Sequence, residues 1–292
     1  MPTPQTTRRA SVFPLLFVLL WATGFIGAKL GLPHAEPLTF LLIRYLIVIA
    51  LMATLALLTR APWPKDARHW FHIGISGLLV HAVYLGGVFV AIKHGLPAGV
   101  TALVVGMQPL LTAFGAGWLL GEKVDGRQWA GLALGFVGVA MVVSGKFGEA
   151  AALGPMLIPA VIALLGITAG TLYQKRFCAK FDLRSGSVIQ FVPTAVVTVI
   201  AVALFEDYRI DWTGQFMFAL GWLVLVLSLG AISLLNLLIR SGSAVNVASL
   251  FYLTPPMTAL IAFVIFGENL TLTATIGMLL AVSGVYLVAR PK

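Results

Sequence analysis

Charge is what this chain of 292 residues has least of. Asp, Glu, Lys and Arg together make up 10% of it, against 60% hydrophobic residues, and mean hydropathy is +1.00. A water-soluble domain of this length needs far more charge to cover its surface, so lipid is the solvent for most of these side chains. Carboxylates are the scarcer sign, 10 against 19 basic residues, and none falls in the central region of a long apolar run. A carrier that exchanges protons through a buried acid needs one there. The single cysteine, Cys178, excludes an intrachain disulfide and reads as a small helix residue near a membrane face; no His/Cys cluster has metal-ligand spacing. There is no Gly-x-x-x-x-Gly-Lys-[Ser/Thr] loop to cradle a nucleotide, and no Ser/His/Asp set or His-Glu-x-x-His for hydrolysis. No ATP-driven or enzymatic chemistry and no cofactor are expected. The formal charge of +9 is spread over short loops and forms no patch for nucleic acid.

What is present is a duplication. A shift of 146 residues carries Gly24 onto Gly170, Lys29 onto Lys175 and Pro109 onto Pro255. It also carries Gly121-Glu122 onto Gly267-Glu268, Gly131 onto Gly277 and Gly138 onto Gly284. Residues 1–146 and 147–292 therefore read as two copies of one unit. A bilayer core about 30 Å thick needs about 20 apolar helical residues. Ten stretches qualify, near 12–32, 38–58, 70–92, 97–120, 127–145, 155–177, 186–205, 216–238, 244–266 and 272–289. With five spans per copy, an odd number, the second copy starts on the opposite side from the first. The fold class expected is all-α and membrane-integral: ten helices as two inverted five-helix repeats around a central cavity.

Basic residues in short loops set orientation. Arg8, Arg9, Arg60, Lys65, Arg68, Lys123, Arg127, Lys175, Arg176, Lys180, Arg184, Arg240, Arg290 and Lys292 fall on the side of the N-terminus, against Lys29, Lys93, Lys146 and Arg209 on the other. Both termini are expected in the cytoplasm of a multi-pass inner (plasma) membrane protein, with the first apolar run an uncleaved helix.

Two five-helix halves, each with a proline midway along its fourth helix and a Gly-Glu at that helix's end, resemble the drug/metabolite transporter superfamily in its EamA-type ten-helix branch. Arg44-Tyr45 early in the second helix is similar to that family too, while Gln190 stands at the equivalent place in the second copy. Within the branch the chain looks most like YddG-type exporters of aromatic and other amino acids. The resemblance implies an inner-membrane carrier moving small metabolites outward, its cavity lined by helices one to four and six to nine.

Depth along the spans gives candidate site residues. Trp21, His81, Gln108, Thr168, Leu227 and Thr254 lie near the bilayer centre, and the 146-residue register pairs Gln108 with Thr254 and His81 with Leu227. Polar groups at that depth need partners or a wet cavity. Substrate contacts are assigned to Trp21, His81, Tyr84, Gln108, Tyr252 and Thr254. Gln108 offers a neutral amide to an amino or carboxylate group, and the aromatic rings pack an apolar side chain. For His81 and Gln108 the competing reading is interhelical hydrogen bonding; for Trp21, in the Phe17, Trp21, Phe25 series, it is packing. Pro109 and Pro255 are hinges or static kinks. Glu122 and Glu268 read as solvated or paired helix-end carboxylates. Arg44 is expected to snorkel outward or hold helix ends, with substrate-carboxylate binding as the minor alternative. The function expected is export of amino acids, aromatic and other apolar ones among them, by alternating access and facilitated diffusion, from a monomer in the lipid bilayer. The alternative is proton-coupled efflux of drugs or other small metabolites.

Overall fold

The computed structural model describes residues 4–96, 98–144, 155, 157–266 and 270–290, with the side chains of 4–11, 98, 262, 265 and 266 outside that description. Among the described residues ten helices are long and apolar enough to cross a membrane. They are α1 (Val12–His34), α2 (Pro37–Leu58), α3 (Ala67–Lys93), α4 (Gly99–Leu120), α5 (Gly126–Val143), α6 (Leu157–Phe177), α7 (Leu183–Phe205), α8 (Gly214–Ser241), α9 (Ala244–Ile261) and α10 (Leu272–Ala289). Their starts carry ordinary initiation chemistry. Pro37 opens α2, where its missing N–H costs nothing. Asp125 and Gln128 form a reciprocal capping box at α5, and Asp182 accepts from Arg184 N at 2.9 Å at the head of α7.

Successive spans alternate in direction. The face where α1 begins is called the near face, the opposite one the far face. The inverted symmetry shows in the contact of α5 with α10. A Cβ on Gly131 would stand 2.7 Å from Gly284 O, and one on Gly277 would stand 2.6 Å from Gly138 O. The shift of 146 carries Gly131 to Gly277 and Gly138 to Gly284, so each contact is the image of the other. The two backbones approach as closely as only glycine allows. The α5–α10 pair forms its own packed cluster around Leu132, Tyr252 and Ala281.

Two irregularities recur at equivalent positions in both halves. α3 contains a π-helical segment, Leu78–Leu85, and α8 contains another, Leu223–Ala231. The added residue per turn re-aims the side chains that follow it. α4 breaks between Ala98–Val105 and Gln108–Leu120, and α9 passes through a 3-10 turn at Leu250–Leu253 before Thr254–Phe266. Pro109 and Pro255 stand just past these breaks, where their missing N–H groups prevent a continuous hydrogen-bond ladder. Gln108 and Thr254 thereby become the first residues of the second helical segments.

Each face is clasped by charge on helix ends. At the far face Glu206 accepts from Leu38 N at 2.8 Å and Thr39 N at 2.7 Å, at the N-terminus of α2. Lys93 there donates to Leu32 O and Ala35 O, at the C-terminus of α1. At the near face Glu122 accepts from Ala244 N at 3.0 Å, at the N-terminus of α9. Lys175 donates to Ile239 O at 2.8 Å and Gly242 O at 2.6 Å, at the C-terminus of α8. Glu122 is therefore a helix clasp, whereas Gly267 and Glu268, like Lys146 and the junction at 146/147, lie outside the described residues. The two equivalent lysines differ: Lys29 is exposed, while Lys175 turns inward.

Candidate functional site

A cavity lies in the far half of the bundle, lined from α1, α2, α3 and α8. α1 contributes Trp21, Gly24, Phe25 and Ala28; α3 contributes Tyr84, Leu85, Val88 and Phe89; α8 contributes Leu223, Leu227 and Ile232. α2 contributes one residue, Arg44. Beside this cavity Gly24 and Gly27 let side chains of α8 close on α1. A Cβ on Gly24 would meet Leu227 at 3.1 Å, and one on Gly27 would meet Leu223 at 2.9 Å.

Two aromatic layers bound this space. At mid-depth Trp21 stacks on Tyr84, centroids 6.2 Å apart at 10°, and meets Phe251 edge-on at 5.2 Å and Phe17 at 5.1 Å. Toward the far face Phe40 meets Phe89 at 5.6 Å and Phe216 at 5.0 Å. Rings in these geometries hold each other as well as burying area.

Arg44 is the charged exception. It is 2% exposed, and no other Asp, Glu, Lys or Arg is buried among the described residues. Its Nε donates to Ser228 Oγ at 2.9 Å. Ser228 belongs to the π-helical segment of α8, so that segment sets the direction of the guanidinium. No carboxylate pairs with it among the described residues. Its other four N–H groups have no hydrogen-bond partner among the described residues. The expected outward snorkelling does not occur. Arg44 sits on the side of α2 that faces α8, while Leu46 and Leu51, 50% and 40% exposed, take the outer side. Depth along a span gives no azimuth, so the sequence places Arg44 within α2 without saying which way its side chain points. The neighbouring Tyr45 is buried and anchored, its Oη donating to His81 O at 2.7 Å.

Of the residues assigned from depth, Trp21 and Tyr84 line this cavity. Thr254 lies behind Trp21, in a small pocket with Ala102, Val105, Gly106 and Phe251. Gln108 lines a separate, small pocket in the near half, with Thr171, Lys175, Ile239, Ala244, Val247 and Ala248. His81 is fully buried and stacks on Phe191 at 4.1 Å. Tyr252 packs into the α5–α10 side, where its ring fills the space a Cβ on Gly135 would need. The near half is held by neutral amides: Gln190 Nε2 donates to Ser76 Oγ at 3.1 Å, and Gln174 Nε2 donates to Asn236 Oδ1 at 2.9 Å.

Comparison with known proteins agrees with this architecture. The chain is 30% identical to the uncharacterized transporter YvbV of Bacillus subtilis, over 98% of this chain and 92% of that one. It is 27% identical to the uncharacterized inner membrane transporter YedA of Escherichia coli K12, over 96% and 91%. It is 25% identical to a probable amino-acid metabolite efflux pump of the same bacterium, over 96% and 95%. A solved crystal structure with 22% identity superposes with a TM-score of 0.78 over 97% of this chain and 96% of the other, a likeness of fold. The EamA-like transporter pattern matches twice, at residues 9–144 and 154–290. With ten apolar helices in two inverted halves around a cavity, the chain is a membrane transporter that belongs to the EamA-like transporter family.

Proposed function

We propose that the protein exports α-amino acids, aromatic and other apolar ones among them, by alternating access of the two repeats. The observation that carries this is Arg44: a buried cation with no acidic partner among the described residues, in a cavity walled by Trp21, Phe25, Tyr84 and Phe89. A charge removed from water is tolerated only where something compensates it. Between bundle helices, an ionisable residue that faces a cavity marks a substrate path. A carboxylate is the matching group, because the planar guanidinium presents paired donors to it. The aromatic walls suit an apolar side chain attached to that carboxylate. The relative named as a probable amino-acid metabolite efflux pump supports the same substrate class.

Transport is facilitated diffusion, since no carboxylate is buried among the described residues to carry a counter-moving proton. The halves rock about the breaks at Pro109 and Pro255, a monomer suffices, and both termini lie in the cytoplasm, so the near face is cytoplasmic.

Ligand-induced stabilisation tests the substrate class, because a ligand that binds the folded state raises Tm. In detergent, phenylalanine, tryptophan and methionine raise Tm, and their carboxamides do not. Equal shifts with the carboxamides, or shifts with lipophilic cations alone, contradict the proposal.

A further inference from the structure

The near half holds polar groups that the far cavity does not use. Gln108 is 1% exposed, and its Oε1 has no partner among the described residues. Its Nε2 reaches Thr171 Oγ1 at 3.4 Å. Both residues line the near pocket together with Lys175. Lys175 spends two of its three N–H donors on Ile239 O and Gly242 O, and one remains. The pocket is thus bordered by an ammonium group with one donor to spare and by a residue whose buried amide oxygen is unsatisfied.

The repeat register gives this pocket a counterpart. Shifted by 146, Gln108 corresponds to Thr254, Thr171 to Phe25 and Ala248 to Ala102. Thr254, Phe25 and Ala102 line the small pocket behind Trp21. That pocket shares Trp21 and Phe25 with the far cavity. On the far side this position is therefore the inner end of the substrate chamber, and the pseudo-two-fold axis places the near pocket at the equivalent end of the other half-path.

We infer that this near pocket is a second, loading subsite for an α-amino-acid zwitterion. Lys175 Nζ takes the carboxylate, and Gln108 Oε1 accepts from the α-ammonium group. The inference rests on the amino-acid assignment above and adds a subsite that faces only the near side. An unpartnered amide oxygen in a buried place is costly, and a substrate ammonium satisfies it. The chemistry complements the far cavity, where Arg44 takes the carboxylate.

The test measures KM from each face separately, in vesicles sorted for orientation by protease access to an N-terminal tag. Gln108→Met removes the acceptor and keeps the bulk. It raises the near-face KM for phenylalanine about tenfold or more, the cost of one hydrogen bond to a charged group, and leaves the far-face KM within about twofold. N-acetylphenylalanine, which lacks the ammonium, has the same near-face KM in Gln108→Met and wild type. Equal losses from both faces, or equal losses for phenylalanine and its N-acetyl form, overturn the subsite. Wild type gives a readout independent of any variant: the near face discriminates against N-acetylphenylalanine about tenfold more strongly than the far face does, and equal discrimination overturns the subsite. Wild type that moves phenylalanine while Gln108→Met behaves identically overturns the subsite alone. Wild type that moves no amino acid overturns both it and the substrate assignment.

Discussion

Arg44 Nε donates to Ser228 Oγ at 2.9 Å, tying α2 of the first repeat to the π-helical segment of α8 in the second. Those two residues join the halves at the wall of the cavity. The equivalent of Arg44 under the repeat is Gln190, and the equivalent of Ser228 is Ala82. The charged contact therefore exists once in a duplicated frame. Among the described residues, the duplicated scaffold thus carries one buried cation without a charged counterpart.

Arg44→Gln copies the second repeat's residue into the first. It lowers amino-acid flux about tenfold to a hundredfold, the scale of losing a charged hydrogen-bonded pair, and removes the preference for phenylalanine over phenylalaninamide. Initial rates with the two compounds check this. Arg44→Lys recovers only part of the rate, because an ammonium lacks the guanidinium's paired donors. Ser228→Ala raises KM by a few fold, since it frees the guanidinium without removing it.

Much of this architecture is legible in the chain. The 146-residue register gives the duplication, the apolar runs give all ten spans, and Pro109 and Pro255 mark the breaks in α4 and α9. The site is less legible, for a geometric reason. His81, Gln108 and Tyr252 share the depth of Trp21 and Tyr84 but point elsewhere: His81 onto Phe191, Gln108 toward Lys175, Tyr252 against Gly135. Azimuth depends on the π-helical segments and the broken helices, and nothing in an apolar run of Leu, Val and Ala announces a π turn. Arg44 was visible as an oddity, but its direction was not.

Helix packing at the pseudo-two-fold pair is tested by Gly131→Ala and Gly284→Ala. Each added Cβ meets a backbone oxygen, at 2.7 Å and 2.5 Å, and backbone cannot step aside as a flexible side chain does. Each substitution costs about 1–3 kcal/mol, as overpacking does, and lowers Tm in detergent. Gly214→Ala, where no atom lies within 4 Å of the added Cβ, leaves Tm unchanged.

The far-face clasp is tested by Glu206→Ala. Its carboxylate caps α2 through two backbone N–H groups and the Thr39 hydroxyl, so the loss is about 1–2 kcal/mol, in the range of a lost N-cap. Hydrogen exchange at Leu38 and Thr39 speeds up in the variant. Unchanged protection at those two amides contradicts the clasp.

Cys178 lies just past the end of α6, 2% exposed, and burial pushes its thiol up to about 11. Burial disfavours the thiolate, so the reactive form is scarce at neutral pH and grows only as pH rises toward that value. N-ethylmaleimide labels folded protein slowly at pH 7 and rapidly once detergent denatures it. Fast labelling of the folded protein contradicts this packing.

The most direct test of the central claim is efflux of radiolabelled tryptophan, phenylalanine and methionine from preloaded proteoliposomes with no pH gradient. Wild type releases each down its gradient to equilibrium, faster than protein-free vesicles, at a rate a pH gradient does not change and Arg44→Gln largely abolishes. Release no faster than from protein-free vesicles for every amino acid tested, or uphill movement driven by a pH gradient, contradicts an amino-acid facilitator that reads its substrate's carboxylate at Arg44.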